Sequence, residues 1–136
     1  MSEKNEPIRV VYCEPGKLAK IKEIKTGLEN LQQAVGGLIE TYYPFDEPVC
    51  IVCNDEGKIN GMRQCRAVYG EDGRVSDIIF GPFFICDCSG EEFASLSDEQ
   101  LERYANQFRY PEHYLRIDGE IKAVRYDPTR GRDLSR

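Results

Sequence analysis

Apolar and polar positions along the chain recur in periods that mark its elements. Ile8-Arg9-Val10-Val11-Tyr12-Cys13 is an apolar, β-branched run closed by Glu14-Pro15-Gly16, which reads as a strand and a turn. Ile21, Ile24, Leu28, Leu31 and Val35 recur at spacings of three and four, which predicts one face of an amphipathic helix. The Lys and Glu residues between them then face water. Gly36-Gly37 ends that helix, since glycine takes the left-handed C-cap geometry without strain. Leu38 to Tyr43 reads as a strand stopped by Pro44, and Val49 to Cys53 as another. Asn54-Asp55-Glu56-Gly57 is a strong turn after it.

Arg63 to Tyr69 fits a strand or a short helix equally well. Glu71-Asp72-Gly73 is a second tight turn, and Val75 to Cys88 is extended around Gly81-Pro82. Ser97 opens a helix, with Gln100 completing a capping box and Asp98 and Glu99 at the positive end of the dipole. Leu101, Tyr104, Ala105 and Phe108 form its apolar face, and Pro111 ends it. Tyr114 to Ile117 and Glu120 to Val124 flank Asp118-Gly119, a hairpin with a two-residue turn. The fold class expected is α+β: a single domain over 1–126, with an antiparallel or mixed β-sheet, two main α-helices packed on it and a C-terminal β-hairpin. Residues 127–136 carry three arginines and little apolar content, and read as a flexible tail.

Composition narrows the function classes. A chain of 136 residues with 40% hydrophobic content supports one substantial core. A net charge of -6 argues against general nucleic-acid binding, which needs a surplus of Lys and Arg to neutralise phosphates. No apolar run reaches membrane-spanning length and the first residues are polar, so no membrane association and a cytoplasmic location are expected. In that compartment the six cysteines are expected to be thiols or metal ligands rather than disulfides. Cys50-Ile51-Val52-Cys53 has the spacing of a zinc or redox pair, with Cys86-Asp87-Cys88 as a second pair. On a strand, however, residues three apart point to opposite faces, so Cys50 and Cys53 diverge. No metal and no cofactor is expected.

One set of motifs resembles a known family. Leu28, Leu31, Gln32, Val35, Gly36, Gly37, Ile39 and Glu40 are followed by Asn54, Glu56, Gly57, Lys58, Asn60 and Gly61, and then by Asp77, Ile78, Ile79 and Gly81. Together with Ser95 to Gln100 in the Phe93–Phe108 region, this pattern is similar to domain-of-unknown-function family 3846, over about residues 8 to 110. Where that family has Asn-Arg after the N-G turn, this chain has Cys65-Arg66. The resemblance implies an accessory protein of phages, mobile elements or Firmicutes, in the manner of an inhibitor or binding protein.

The candidate ligand site is the polar cluster Asn54, Lys58, Asn60, Arg63, Gln64 and Arg66, with Glu40 and Tyr42 nearby if the strands pair. Lys and Arg beside glycine-rich backbone suit a phosphate or other small anion, and Tyr42 suits stacking on a base. The plainer alternative is that Asn54 to Gly57 makes a hairpin turn with a solvated basic flank. His113 is the sole histidine, without a partner evident in sequence, and no nucleotide-binding or nucleophile motif is present. Catalysis is therefore disfavoured and no catalytic residue is named. Two readings remain. One is a binding protein that sequesters a small anionic, nucleotide-like ligand, a counter-defence role, with a homo-oligomer as one form. The other is an interaction module that inhibits or adapts a host protein. An enzyme of unidentified class ranks third.

Overall fold

The computed structural model describes residues 6–129. In chain order the elements are β1 (Pro7–Cys13), β2 (Lys20–Lys25), α1 (Leu28–Val35), β3 (Ile39–Tyr42), β4 (Val49–Asn54), β5 (Gln64–Tyr69), β6 (Val75–Phe80), β7 (Phe83–Asp87), α2 (Asp98–Gln107), β8 (Glu112–Ile117) and β9 (Glu120–Arg125). Five strands form one antiparallel sheet in the order β2-β1-β7-β4-β3, while β5-β6 and β8-β9 are separate two-stranded ribbons. The architecture is the expected α+β fold, and its sheets are wholly antiparallel.

Alternation along the central strands builds two cores. Val11, Cys13, Val49, Ile51, Cys53, Phe83 and Ile85 face α2 and the β5-β6 ribbon, joining Cys65, Ile79, Leu101, Tyr104 and Phe108. Val10, Tyr12, Cys50, Val52, Phe84 and Cys86 point the other way, onto Leu31 and Val35 of α1. β4 is therefore buried along its whole length. This explains why it reads as a continuous apolar run rather than as an alternating one.

One expectation is corrected. The helix predicted from Ile21 starts only at Leu28, and Lys20–Lys25 is the edge strand β2. The three-residue spacing of Ile21 and Ile24 fits both structures, but on a strand it separates them. Ile24 is buried and Ile21 exposed. The lysines that resembled a solvated helix face instead blunt a sheet edge. Gly27 and Gly36 bracket the short helix, with Gly36 in the left-handed conformation at its C-cap. The second helix carries the predicted capping box of Ser97 and Gln100. Asp118 and Gly119, both at positive φ, make the primed turn that a two-residue hairpin requires. Of the expected tail, residues 127–129 are described, with Asp127 accepting from the Thr129 amide and hydroxyl. Its remainder, from 130 on, lies outside the described residues.

Candidate functional site

The turn after β4 is not a hairpin. β4 pairs with β3 and β7, and residues 55–63 lead out of the main sheet into the β5-β6 ribbon. The residues of this segment have distinct local duties. Asn54 is buried, its Nδ2 donating to Val35 O at 3.1 Å and its Oδ1 accepting from the Glu56 amide at 2.7 Å. It therefore satisfies a carbonyl at the end of α1 and also sets the turn. Gly37 is small because a Cβ there would lie 2.8 Å from Asn54 Nδ2. Gly57 is small because a Cβ would lie 2.4 Å from the Phe80 carbonyl oxygen. The V-G-G and N-x-E-G motifs thus form one joint, locking the end of α1 and the end of β6 around the exit of β4.

The predicted cluster divides accordingly. Arg66 is fully buried, with Nε donating to Phe108 O at 2.9 Å, Nη1 to Cys65 O at 3.0 Å and Nη2 to Lys17 O at 2.8 Å. It ties β5 to the end of α2 and to the β1-β2 loop. Arg66 and Asn54 thus both hold neighbouring backbone, and neither lines the groove that Arg63 and Gln64 border. Cys65, at the position where the sequence departs from the family pattern, is buried in the core on the α2 side. Glu40 and Tyr42 lie on β3, at the far edge of the sheet, where the Tyr42 hydroxyl donates to Asp77 at 3.1 Å. Burial and Asp77 raise the Tyr42 pKa. Asn60 is exposed on the turn, and Lys58 holds its ammonium 5.9 Å from the Phe80 ring centre.

Arg63 and Gln64 are brought to a groove. Gly16, Met62, Arg63, Gln64, Phe80, Glu112, His113, Tyr114, Leu115 and Tyr126 line an open depression of about 580 Å³ between the β1-β2 turn, the start of β5 and the β8-β9 hairpin. The Arg63 guanidinium lies against Gly16, whose absent side chain leaves it room. Across the groove, His113 stacks on Tyr126 with ring centres 4.2 Å apart and planes inclined by 13°. Glu112 accepts from the Ala67 amide at 2.9 Å and from the Tyr114 hydroxyl at 2.8 Å, so the hairpin is fixed against β5. The Tyr114 pKa is raised by burial and by that carboxylate. An exposed cation, a stacked ring pair and an amide side chain thus line one open groove.

Sequence reasoning missed His113 and Tyr126 as a pair, although a usable signal was present. With Asp118-Gly119 fixed as the turn, His113 opposes Val124, so Tyr126 is its diagonal neighbour on the same face. A second polar cluster, Glu47 with Gln100, Arg103 and Tyr104, was also not predicted. Glu47 accepts from Gln100 at 3.0 Å, from Arg103 at 2.8 Å and from the Tyr104 hydroxyl. These contacts hold its carboxyl at about 2, with Arg103 the largest cause. Burial and Glu47 push Tyr104 up to about 12.

Among the described residues no helix is long and apolar enough to cross a membrane, and no group of three or more His, Cys, Asp or Glu could hold a metal ion. Residues 8–109 match a family described as a domain of unknown function, DUF3846, and the chain belongs to that family. No curated protein and no solved structure matches it.

Proposed function

We propose that this DUF3846 member is a non-catalytic binding protein. Its ligand is a small anionic compound with an aromatic group, nucleotide-like in chemistry, seated between Arg63 and the His113-Tyr126 stack. The observation that carries this reading is the groove of about 580 Å³, in which a cation and a ring platform face a common space. Such a volume lies within the usual range of small-molecule sites. A guanidinium recognises phosphate through paired N–H donors, and a ring pair offers a face for a base. Gln64 adds an amide that can discriminate ring edges. The accessory role suggested by sequence, sequestration of a nucleotide-like signal in the cytoplasm of a phage or mobile-element host, belongs to the same proposal.

The test is a thermal-shift scan against linear and cyclic nucleotides, dinucleotides and ADP-ribose. A ligand at 100 times its dissociation constant stabilises by about 2.7 kcal/mol, or roughly 8–15 °C for a domain of this size. Arg63→Ala should remove the shift while leaving the unliganded melting temperature unchanged. A flat panel, or undiminished binding by Arg63→Ala, overturns the assignment.

A second reading, an interaction module for a host protein, draws on a different observation. Ile117 and Val124 are 47% and 46% exposed on the β8-β9 hairpin, outside the residues that line the groove. If this patch docks a protein, Ile117→Lys abolishes capture of the partner and leaves nucleotide shifts intact. Capture that survives Ile117→Lys counts against it.

A further inference from the structure

Three of the cysteines converge on the α1 side of the main sheet. Cys50 in β4 stands directly opposite Cys86 in β7, with their sulfurs 3.9 Å apart. Cys88 follows Cys86 by two residues, so the pleat returns its side chain to the same face. Its amide donates to Pro48 O at 2.9 Å, which continues the β4-β7 ladder past the end of β7. Cys88 is the diagonal neighbour of Cys50 across this ladder, and the two thiols lie near enough to influence each other's ionisation. Cys50 and Cys86 are fully buried, whereas Cys88, at the end of the row, is partly open to solvent. Cys13, Cys53 and Cys65 lie on the opposite side of the sheet and are walled off from this row.

We propose that Cys50, Cys86 and Cys88 form a thiol-oxidation site for a small hydroperoxide, with Cys88 the point of attack and Cys50 the resolving thiol. The Cys88 thiolate attacks the terminal peroxide oxygen, so an S–O bond forms and the O–O bond breaks. The departing oxide or hydroxide takes a proton, leaving a sulfenic acid on Cys88. Cys50, having released its own proton, attacks the Cys88 sulfur. The S–S bond forms, the S–O bond breaks, and the leaving hydroxide takes a proton to become water. Two thiols are oxidised and one hydroperoxide is reduced, giving water together with an alcohol, or a second water for hydrogen peroxide.

Exposure decides the order, because the oxidant reaches Cys88 before either buried sulfur. Cys86 assists from behind: its contact with Cys50 lowers the Cys50 pKa and so favours the thiolate there. Burial meanwhile pushes Cys88 up to about 11, so attack on peroxide is slow at neutral pH and quickens as the pH climbs.

Reduced protein is treated with hydrogen peroxide, and its thiols are counted in denaturant. The count should fall from six to four, with peptide mapping linking Cys50 to Cys88. Cys88→Ser, at a partly exposed position that tolerates the change, should keep all five of its remaining thiols. Cys50→Ala should accumulate a sulfenic acid on Cys88 that dimedone traps. The assignment is overturned if all six thiols survive in the folded protein, or if the link joins any pair other than Cys50 and Cys88. It is equally overturned if Cys88→Ser loses two thiols as fast as the unaltered chain.

Discussion

At the scale of single residues, two arginines three positions apart illustrate how little residue type reveals about duty. Arg63 is exposed beside Gly16 and faces the groove. Arg66 is enclosed, and its guanidinium serves the carbonyls of Lys17, Cys65 and Phe108. Replacing Arg66 by alanine orphans those three acceptors, each at a cost of about 1–3 kcal/mol when buried, and opens a void besides. Arg66→Ala should therefore lose on the order of 4 kcal/mol in urea unfolding, whereas Arg63→Ala stays within about 0.5 kcal/mol of the unaltered protein. Equal midpoints for the two variants would contradict the assignment of roles. Gly57 follows the same logic without a charge. Its missing Cβ leaves 2.4 Å to the Phe80 carbonyl oxygen, so Gly57→Ala must displace the turn from β6. A loss of about 1–3 kcal/mol is expected from such overpacking, and an unchanged urea midpoint would mean that the turn gives way freely. Among the residues that carry the family resemblance, Asn54, Gly36, Gly37, Gly57 and Gly81 are legible in sequence because backbone geometry or close packing demands them. Those positions therefore report the fold.

At the scale of elements, legibility followed how much of an element's identity is local. The capping box at Ser97, the turn at Asp118-Gly119 and the stop at Gly36 each depend on a few adjacent residues, and each stands as expected. β2 depends on pairing with β1, sixteen residues back at the Ile8–Ile24 pair and beyond local patterning, so its sequence alone reads as helix. The α2 network is likewise non-local, since Glu47 lies in the β3-β4 connection and its partners half a chain away. Glu47 supplies a pH signature for that contact. Its carboxyl falls from an ordinary 4.5 to about 2 in the folded protein, through Arg103 first and then Tyr104 and Gln100. A depressed carboxylate contributes its stability above the unfolded value, and that contribution is lost as the pH falls through the folded value. The melting temperature should therefore decline between about pH 4.5 and pH 2 more steeply in the unaltered protein than in Glu47→Gln. Parallel acid limbs for the two proteins would show that the network does not couple to folding.

At the scale of the whole molecule, the core and the groove have different boundaries. Every buried residue of the two core clusters falls between Ile8 and Phe108, close to the 8–109 span of the family match. The groove, by contrast, takes Glu112, His113, Tyr114, Leu115 and Tyr126 from the hairpin that follows. The hairpin is held to the β5-β6 ribbon by polar contacts, Glu112 with the Ala67 amide and Arg74 with Glu120 at 3.4 Å. Its own strands pair only with each other. A chain ending at Tyr110 should therefore keep a cooperative unfolding transition, with its sandwich of α1, sheet and α2 intact. It should be weakened by about 1–3 kcal/mol for the Ala67 amide left without its carboxylate. The same truncation removes one wall of the groove and the entire ring stack, so any ligand that stabilises the full chain should no longer shift its melting temperature. Circular dichroism melts with and without the ligand decide both halves. A truncated chain that melts without cooperativity shows that the hairpin completes the fold, and one that still responds to ligand moves the binding site away from the groove. The expected pairing, folded but unresponsive, would mean that the family supplies the scaffold while ligand choice resides in a hairpin appended to it.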